Sequence, residues 1–224
     1  MANNKTAVRK VLDAAKAEGR TSLTAPEGKK VCDAYGIPVP KEGLAKTAAE
    51  AAKLATAMGW PVVMKVVSPE ILHKTEAGGV IVGVKTAAEA RKAFATILAN
   101  AKKYDRKATV LGVQVQQMVG GGQEVIVGAV TDPSFGKLVA FGLGGVLVEV
   151  LKDVTFRLAP ATKDDALSML DGIAAAEILK GVRGGEPVSR DALATLIRNV
   201  SRLVADFPEI AEMDLNPVFA SKKG

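Results

Sequence analysis

The chain alternates between two kinds of hydrophobic pattern. Short β-branched runs, PVVMKVV at 61–67, then Gly79–Val84, Val110–Val119, Glu124–Val130, Lys137–Phe141 and finally Ile210–Phe219, read as strands. Between them lie stretches with helical spacing, three of which open on Thr-x-x-Glu: Thr24/Glu27, Thr47/Glu50 and Thr86/Glu89. In such a capping box the threonine oxygen and the glutamate satisfy each other's free amides. Gly36 and Gly59 suit the left-handed residue that follows a helix, so they mark the ends of the first two. Two further helices are expected at about 163–180 and 189–206. Gly120–Gly122, set between strand-like runs, predicts a hairpin connection, and GVRGGEP at 181–187 a surface loop. Residues 1–20 read as an amphipathic helical appendage before a main domain at 21–224. The mixed order predicts an α/β chain of two α+β lobes around a cleft, the smaller lobe drawn in part from about 21–110.

Composition narrows the function. The 224 residues are 48% hydrophobic and 24% charged, enough for one large or two small domains and unlike a disordered chain. Thirty Lys and Arg against 24 Asp and Glu leave a net charge of +6, which favours anionic partners such as nucleotides, phosphates or CoA. An aromatic content of 4% and scattered basic residues argue against a nucleic-acid surface. One cysteine, Cys32, excludes an intrachain disulfide and a cysteine-based zinc site. Met1–Arg20 contains no apolar run long enough for a signal peptide or a membrane span, so the expectation is a cytoplasmic protein without a membrane partner.

Four features carry candidate chemistry. No Walker A loop is present, and Phe141-Gly142-Leu143-Gly144-Gly145 fails the dinucleotide fingerprint because Leu147 stands at the third glycine's place. Lys65 interrupts a strand of valines, where an ammonium calls for an anion; the bland reading is a lysine snorkelling from an edge. The glycines at 142, 144 and 145 let backbone amides approach phosphate, and alternation after them puts Asp153, Thr155 and Arg157 opposite Val154, Phe156 and Leu158. Arg157 would then project from a polar face toward a transferring phosphoryl group, or else be a solvated arginine. Glu212, Asp214 and Asn216 alternate on one strand face with Pro217 ending the ladder; a carboxylate and an amide oxygen so spaced can share Mg²⁺ with substrate phosphates, though an exposed polar face would look the same. His73, the only histidine, lies in a polar loop able to move, where a ring nitrogen can act as a nucleophile.

Five segments in register, AYGIPVP at 34–40, PVVMKVVSPEILHKTEAGGV at 61–80, EVIVGAVTDPSFG at 124–136, FGLGGVLVEVLKDVTFRLAP at 141–160 and EMDLNPV at 212–218, resemble an ATP-grasp domain of the β subunits of ADP-forming (NDP-forming) acyl-CoA synthetases. The resemblance runs from about Thr21 to Phe219. It implies an ATP-grasp fold that holds ATP or ADP with Mg²⁺ between two lobes. Lys65 would lie near the α- and β-phosphates and Gln116, Gln117, Met118 and Val119 would form a backbone hinge for adenine, with Glu124 beside the nucleotide. Gly144 and Gly145 match the glycine-rich loop, Arg157 a phosphate-stabilising arginine, and Asp214 with Asn216 the Mg²⁺ ligands. His73 matches the HK[ST][DE] position, here His73-Lys74-Thr75-Glu76, which implies a phosphohistidine relaying phosphate from an α subunit. That α subunit would carry the CoA-binding and acyl-binding domains in an α₂β₂ assembly, so CoA would be met only through the partner. Two other readings stay open: an ATP-grasp ligase that activates a carboxylate directly without a phosphohistidine, and a nucleotide-sensing subunit without turnover.

Overall fold

The computed structural model describes residues 4–145, 153–182 and 185–224. In chain order these form α1 (Lys5–Ala17), α2 (Ala25–Ala34), β1 (Glu42–Ala45), α3 (Ala48–Met58), β2 (Val62–Val67), β3 (Val80–Val84), α4 (Ala87–Tyr104), β4 (Gly112–Gln117), β5 (Gln123–Asp132), β6 (Gly136–Leu143), β7 (Val154–Leu158), α5 (Lys163–Gly172), a 3₁₀ turn (Ala176–Lys180), α6 (Arg190–Asp206) and β8 (Glu212–Ala220). The chain divides into two compact units. An amino-terminal unit holds the described residues up to Ala34 together with Pro38–Val119, and a carboxy-terminal unit holds Tyr35–Ile37 and Gly120–Gly224.

The amino-terminal unit is an antiparallel sheet in the order β1-β4-β2-β3. Alternation gives it two unlike faces. Val62, Met64, Val66, Val113 and Val115 point into a core closed by Ala51, Ala55, Ala90 and Ile97 of α3 and α4. Their neighbours Val63, Lys65, Gln114, Gln116 and Glu42 occupy the other face. The first helix packs within this unit. Val8 and Ala15 of α1 are buried, α1 contacts α2, and the Asn4 amide donates to Ala34 O at 3.0 Å.

In the carboxy-terminal unit the order is β7-β6-β5-β8, again antiparallel throughout. Val125, Val127, Ala129, Val139 and Phe141 are buried on the face contacted by α5 and α6. Tyr35 joins this unit through its hydroxyl, which donates to Asp206 Oδ2 at 2.7 Å, and through an edge-on contact with Phe207.

Several local expectations need correction. Gly120–Gly122 does not close a hairpin, because β1 and β2 already occupy both edges of β4 and β5 pairs with β6 and β8. Pro217 does not end its ladder: Leu215 pairs with Val127 and Val218 with Val125, so Asn216 and Pro217 together oppose Ile126 in a bulge. The helix expected at 163–180 breaks after Gly172 because the Asp153 carboxylate accepts the amides of Ala174 at 2.7 Å and Ala175 at 2.9 Å. The capping boxes are half-formed. Thr47 and Thr86 accept the amides of Glu50 and Glu89, but those glutamates reach back to Lys46 N and Lys85 N. At Thr24 it is Glu27 that accepts, from the threonine amide and hydroxyl. The complete reciprocal box is Thr162 with Asp165. Of the stretch that follows the glycine-rich turn, Val146–Leu151 lies outside the described residues, as do positions 183–184 of the surface loop.

Candidate functional site

The side of the amino-terminal sheet opposite α3 and α4 gathers the first group. Lys65 in β2 sits opposite Gln114 in β4, and Gln116, one pleat along, sits opposite Glu42 in β1. Lys65 Nζ donates to Gln116 Oε1 at 2.7 Å. Glu42 Oε2 accepts from Gln114 Nε2 at 2.7 Å and from Gln116 Nε2 at 3.2 Å. Burial pushes the Lys65 ammonium down from its ordinary pKa, Glu42 opposes that, and Lys74 adds to it. Burial pushes the Glu42 carboxyl up, while Lys29, Gln114, Lys65 and Gln116 hold it down. This is a cation kept half-buried by an amide oxygen with no direct carboxylate bond, a state that an incoming phosphate would relieve. Glu42 and Gln114 were not singled out from sequence, although QVQQ at 114–117, polar at every second place in a buried strand, was a usable signal.

The segment expected to form an adenine hinge, Gln116–Val119, is partly committed. The Gln117 amide donates to Lys41 O at 2.8 Å and the Met118 amide to Pro61 O at 3.3 Å, so a purine edge could use the carbonyls there but not those two donors. Met118 and Val119 are exposed.

His73 is exposed on the turn between β2 and β3. The turn carries local packing and hydrogen bonds. Ile71 and Ala77 on either side of the histidine are buried, Gly79 N donates to Lys74 O at 2.8 Å, and Asn100 Nδ2 donates to Gly78 O at 2.8 Å. Glu70 accepts from Ser68 Oγ at 2.8 Å and Thr109 N at 3.1 Å. In this conformation the turn presents the ring to solvent.

The carboxy-terminal unit supplies the second group. Opposite its helix-covered face, the sheet bears Glu124, Ile126 and Gly128 on β5, Ala140, Gly142 and Gly144 around β6, and Asp214 with Asn216 on β8. Glycines let neighbouring backbone approach closely here. A Cβ at Gly144 would come within 3.1 Å of Glu124 Cβ, and one at Gly145, where φ is +66°, within 3.1 Å of Glu124 Oε2. The Glu124 side chain thus lies against the glycine-rich turn, whose Gly144 amide donates to Glu124 O at 2.8 Å. Asp214 has its pKa raised by loss of hydration; a hydrogen bond from Asn216 opposes this and the Glu212 charge reinforces it. Among the described residues no cluster of three or more His, Cys, Asp or Glu side chains could hold a metal. Asp214 and Asn216 on an open strand face nevertheless fit a Mg²⁺ that takes its other ligands from phosphate and water.

Arg157 does not join them. The alternation of β7 is as expected, but Thr155 and Arg157 pair with Phe141 and Val139 and share the helix-covered face, leaving Val154, Phe156 and Leu158 on the face of Asp214. Arg157 Nη2 donates to Ser168 Oγ at 2.9 Å and Nη1 to Phe156 O at 2.8 Å. The reason is register: β6 buries its odd-numbered residues, and antiparallel pairing puts the odd-numbered residues of β7 beside them.

The family model described as an ATP-grasp domain matches residues 14–224. The chain is 50% identical over 212 residues to the protein named acetate–CoA ligase [ADP-forming] I subunit beta of Pyrococcus furiosus, covering 95% of this chain and 91% of that one. It is 48% identical over 221 residues to 4-hydroxybutyrate–CoA ligase [ADP-forming] of Nitrosopumilus maritimus, of which it spans only 32%. A structure of Candidatus Korarchaeum cryptofilum acetyl-coenzyme A synthetase 1, in complex with coenzyme A and Mg-AMPPCP and with a phosphohistidine segment pointing towards its nucleotide-binding site, superposes with a TM-score of 0.84 at 41% identity, covering 96% of this chain and 93% of that one.

Proposed function

The chain belongs to the ATP-grasp domain family, and from that premise we propose that it is the nucleotide-binding β subunit of an ADP-forming acyl-CoA synthetase. The reaction is acyl-CoA + ADP + phosphate giving carboxylic acid + CoA + ATP. An α subunit would contribute CoA and acyl binding in an α₂β₂ assembly, and the whole would work in the cytoplasm; among the described residues of this chain no helix is long and apolar enough to cross a membrane. The β-subunit name of a relative matched over nine-tenths of its length supports the division of labour.

In this reading each unit contributes its own groups. Lys65 binds the α/β-phosphate charge, and the segment Gln116–Val119 offers carbonyls to the adenine edge. Glu124, Gly144 and Gly145 form the open wall beside the phosphates, and Asp214 with Asn216 would hold Mg²⁺. A bound Mg²⁺ would supply charge neutralisation to the transferring phosphoryl group. Arg157, on the edge strand β7, reaches phosphate only by leaving Ser168 and turning around the sheet edge.

The observation that carries the relay is the placement of His73: exposed, on the turn between β2 and β3, and followed by Lys74, whose charge is felt at Lys65. A ring nitrogen attacks phosphorus on the partner's phosphorylated group; the N–P bond forms as the partner's bond to phosphorus breaks. A terminal oxygen of ADP then attacks the same phosphorus, the N–P bond breaks, and the free imidazole returns. In this reading the turn swings to carry the ring between the partner's phosphorylated group and ADP.

The test is phosphate labelling of the reconstituted αβ enzyme with Mg·ATP carrying a labelled γ-phosphate. An acid-labile, base-stable label on this chain, lost in His73→Ala together with turnover, is expected. Full synthetase activity in His73→Ala would refute the relay and leave a direct-activation ligase. Nucleotide binding without phosphate exchange under any partner combination would leave a sensor.

A further inference from the structure

A lysine presented to phosphate must be held in one place and kept charged, and an amide is an ambiguous partner for it. The Gln116 carboxamide can present either its oxygen or its NH₂ group to Lys65, and the two orientations fill nearly the same space. What distinguishes them lies on the far side of the amide. There Glu42 Oε2 takes Gln116 Nε2 at 3.2 Å and, from the next pleat, Gln114 Nε2 at 2.7 Å. Gln114 is 2% exposed, so its donor is committed inside the fold. With a carboxylate on one side and an ammonium on the other, only one amide orientation avoids setting oxygen against oxygen and NH₂ against NH₃⁺.

We propose that Glu42 is the positioning residue for Lys65: it orients the Gln116 amide so that Oε1 faces Nζ, and thereby fixes the ammonium on the sheet face where nucleotide phosphate would be received. This rests on the reading of Lys65 as a phosphate-binding group. Glu42 makes no contact with substrate in this scheme and acts through Gln116 alone. The charged groups that bear on the pair are Lys29 and Lys65 at Glu42, and Glu42 and Lys74 at Lys65. Cys32, on α2, also lies within the field of both Glu42 and Lys29.

The inference is tested on the full chain by Mg·ADP binding, followed by calorimetry from pH 7 to 10.5, in wild type, Glu42→Gln, Glu42→Asp, Gln116→Met and Lys65→Gln. Removing a charge-assisted orienting bond should weaken Mg·ADP binding by about tenfold in Glu42→Gln. The alkaline limb should also move to lower pH, because Lys65 loses the anion that favours its protonated form. Glu42→Asp, which keeps the charge, should keep the limb in place. Glu42→Gln combined with Gln116→Met should be no worse than the poorer single variant, since both act through one amide. If Lys65→Gln leaves Mg·ADP binding unchanged, the functional reading of Lys65 is wrong and this inference goes with it. If Lys65→Gln weakens binding but Glu42→Gln moves neither affinity nor limb, or lowers affinity with the limb unmoved, only the positioning role is overturned. Should Glu42→Gln fail to fold, Glu42→Asp and Gln116→Met decide: an alkaline limb shifted by the charge-retaining Asp variant, or Gln116→Met binding Mg·ADP as wild type does, would refute it.

Discussion

Glu27→Gln tests how the amino-terminal unit secures α1 and α2. Arg20 forks onto Glu27 with contacts of 2.9 and 2.7 Å, and the Thr24 amide and hydroxyl add 2.7 and 2.8 Å. Burial alone would raise the Glu27 carboxyl, but Arg20 and Thr24 outweigh it and bring the pKa from 4.5 to about 2. At 1.36 kcal/mol per unit this is up to about 3 kcal/mol in favour of the folded, ionised form at neutral pH. The side chains are 14% and 22% exposed, which limits solvent screening of the pair. The sign follows from proton binding. Between the two pKa values the unfolded chain holds the proton and the folded chain does not, so stability is complete above about pH 5 and falls as pH drops toward 2, with about 2 kcal/mol gone by pH 3. Trp60, the one tryptophan, packs against the core of the same unit, so its fluorescence in urea reads the right transition. Wild type and Glu27→Gln should differ by about 2–3 kcal/mol at pH 7 and converge toward pH 2. A constant difference across that range, or none at pH 7, would refute the electrostatic account.

Asp153→Ala should strand the amides of Ala174 and Ala175, costing about 1–3 kcal/mol and appearing as faster hydrogen exchange at those two positions with α6 unaffected. Asp214→Asn should raise the Mg²⁺ concentration for half-maximal nucleotide-dependent phosphate transfer by on the order of tenfold, the loss of one ligand charge. In excess EDTA the variant and wild type should bind ADP alike; a difference that persists without metal would assign Asp214 another task.

The sequence by itself determined the inventory of this protein: strands legible from β-branched runs, helix ends from Gly36 and Gly59, and the motif positions Lys65, His73, Asp214 and Asn216 from residue type and spacing. These are short-range properties, set by steric preference and by alternation within a few residues. Tertiary structure decided everything that depended on a neighbouring strand. It paired β5 with β6 and β8 instead of β4, absorbed Pro217 in a bulge opposite Ile126, and turned Arg157 toward Ser168 although its alternation with Phe156 had been read from the sequence. Alternation shows which residues share a face; only inter-strand register shows which face lies under the helices. The same holds for the contacts that Asn100 and Thr109 make with the segment around His73, and for Glu42, which lies 74 residues from the Gln116 amide it orders. A local pattern carries no record of partners so distant along the chain, because their contact exists only once the sheet has formed.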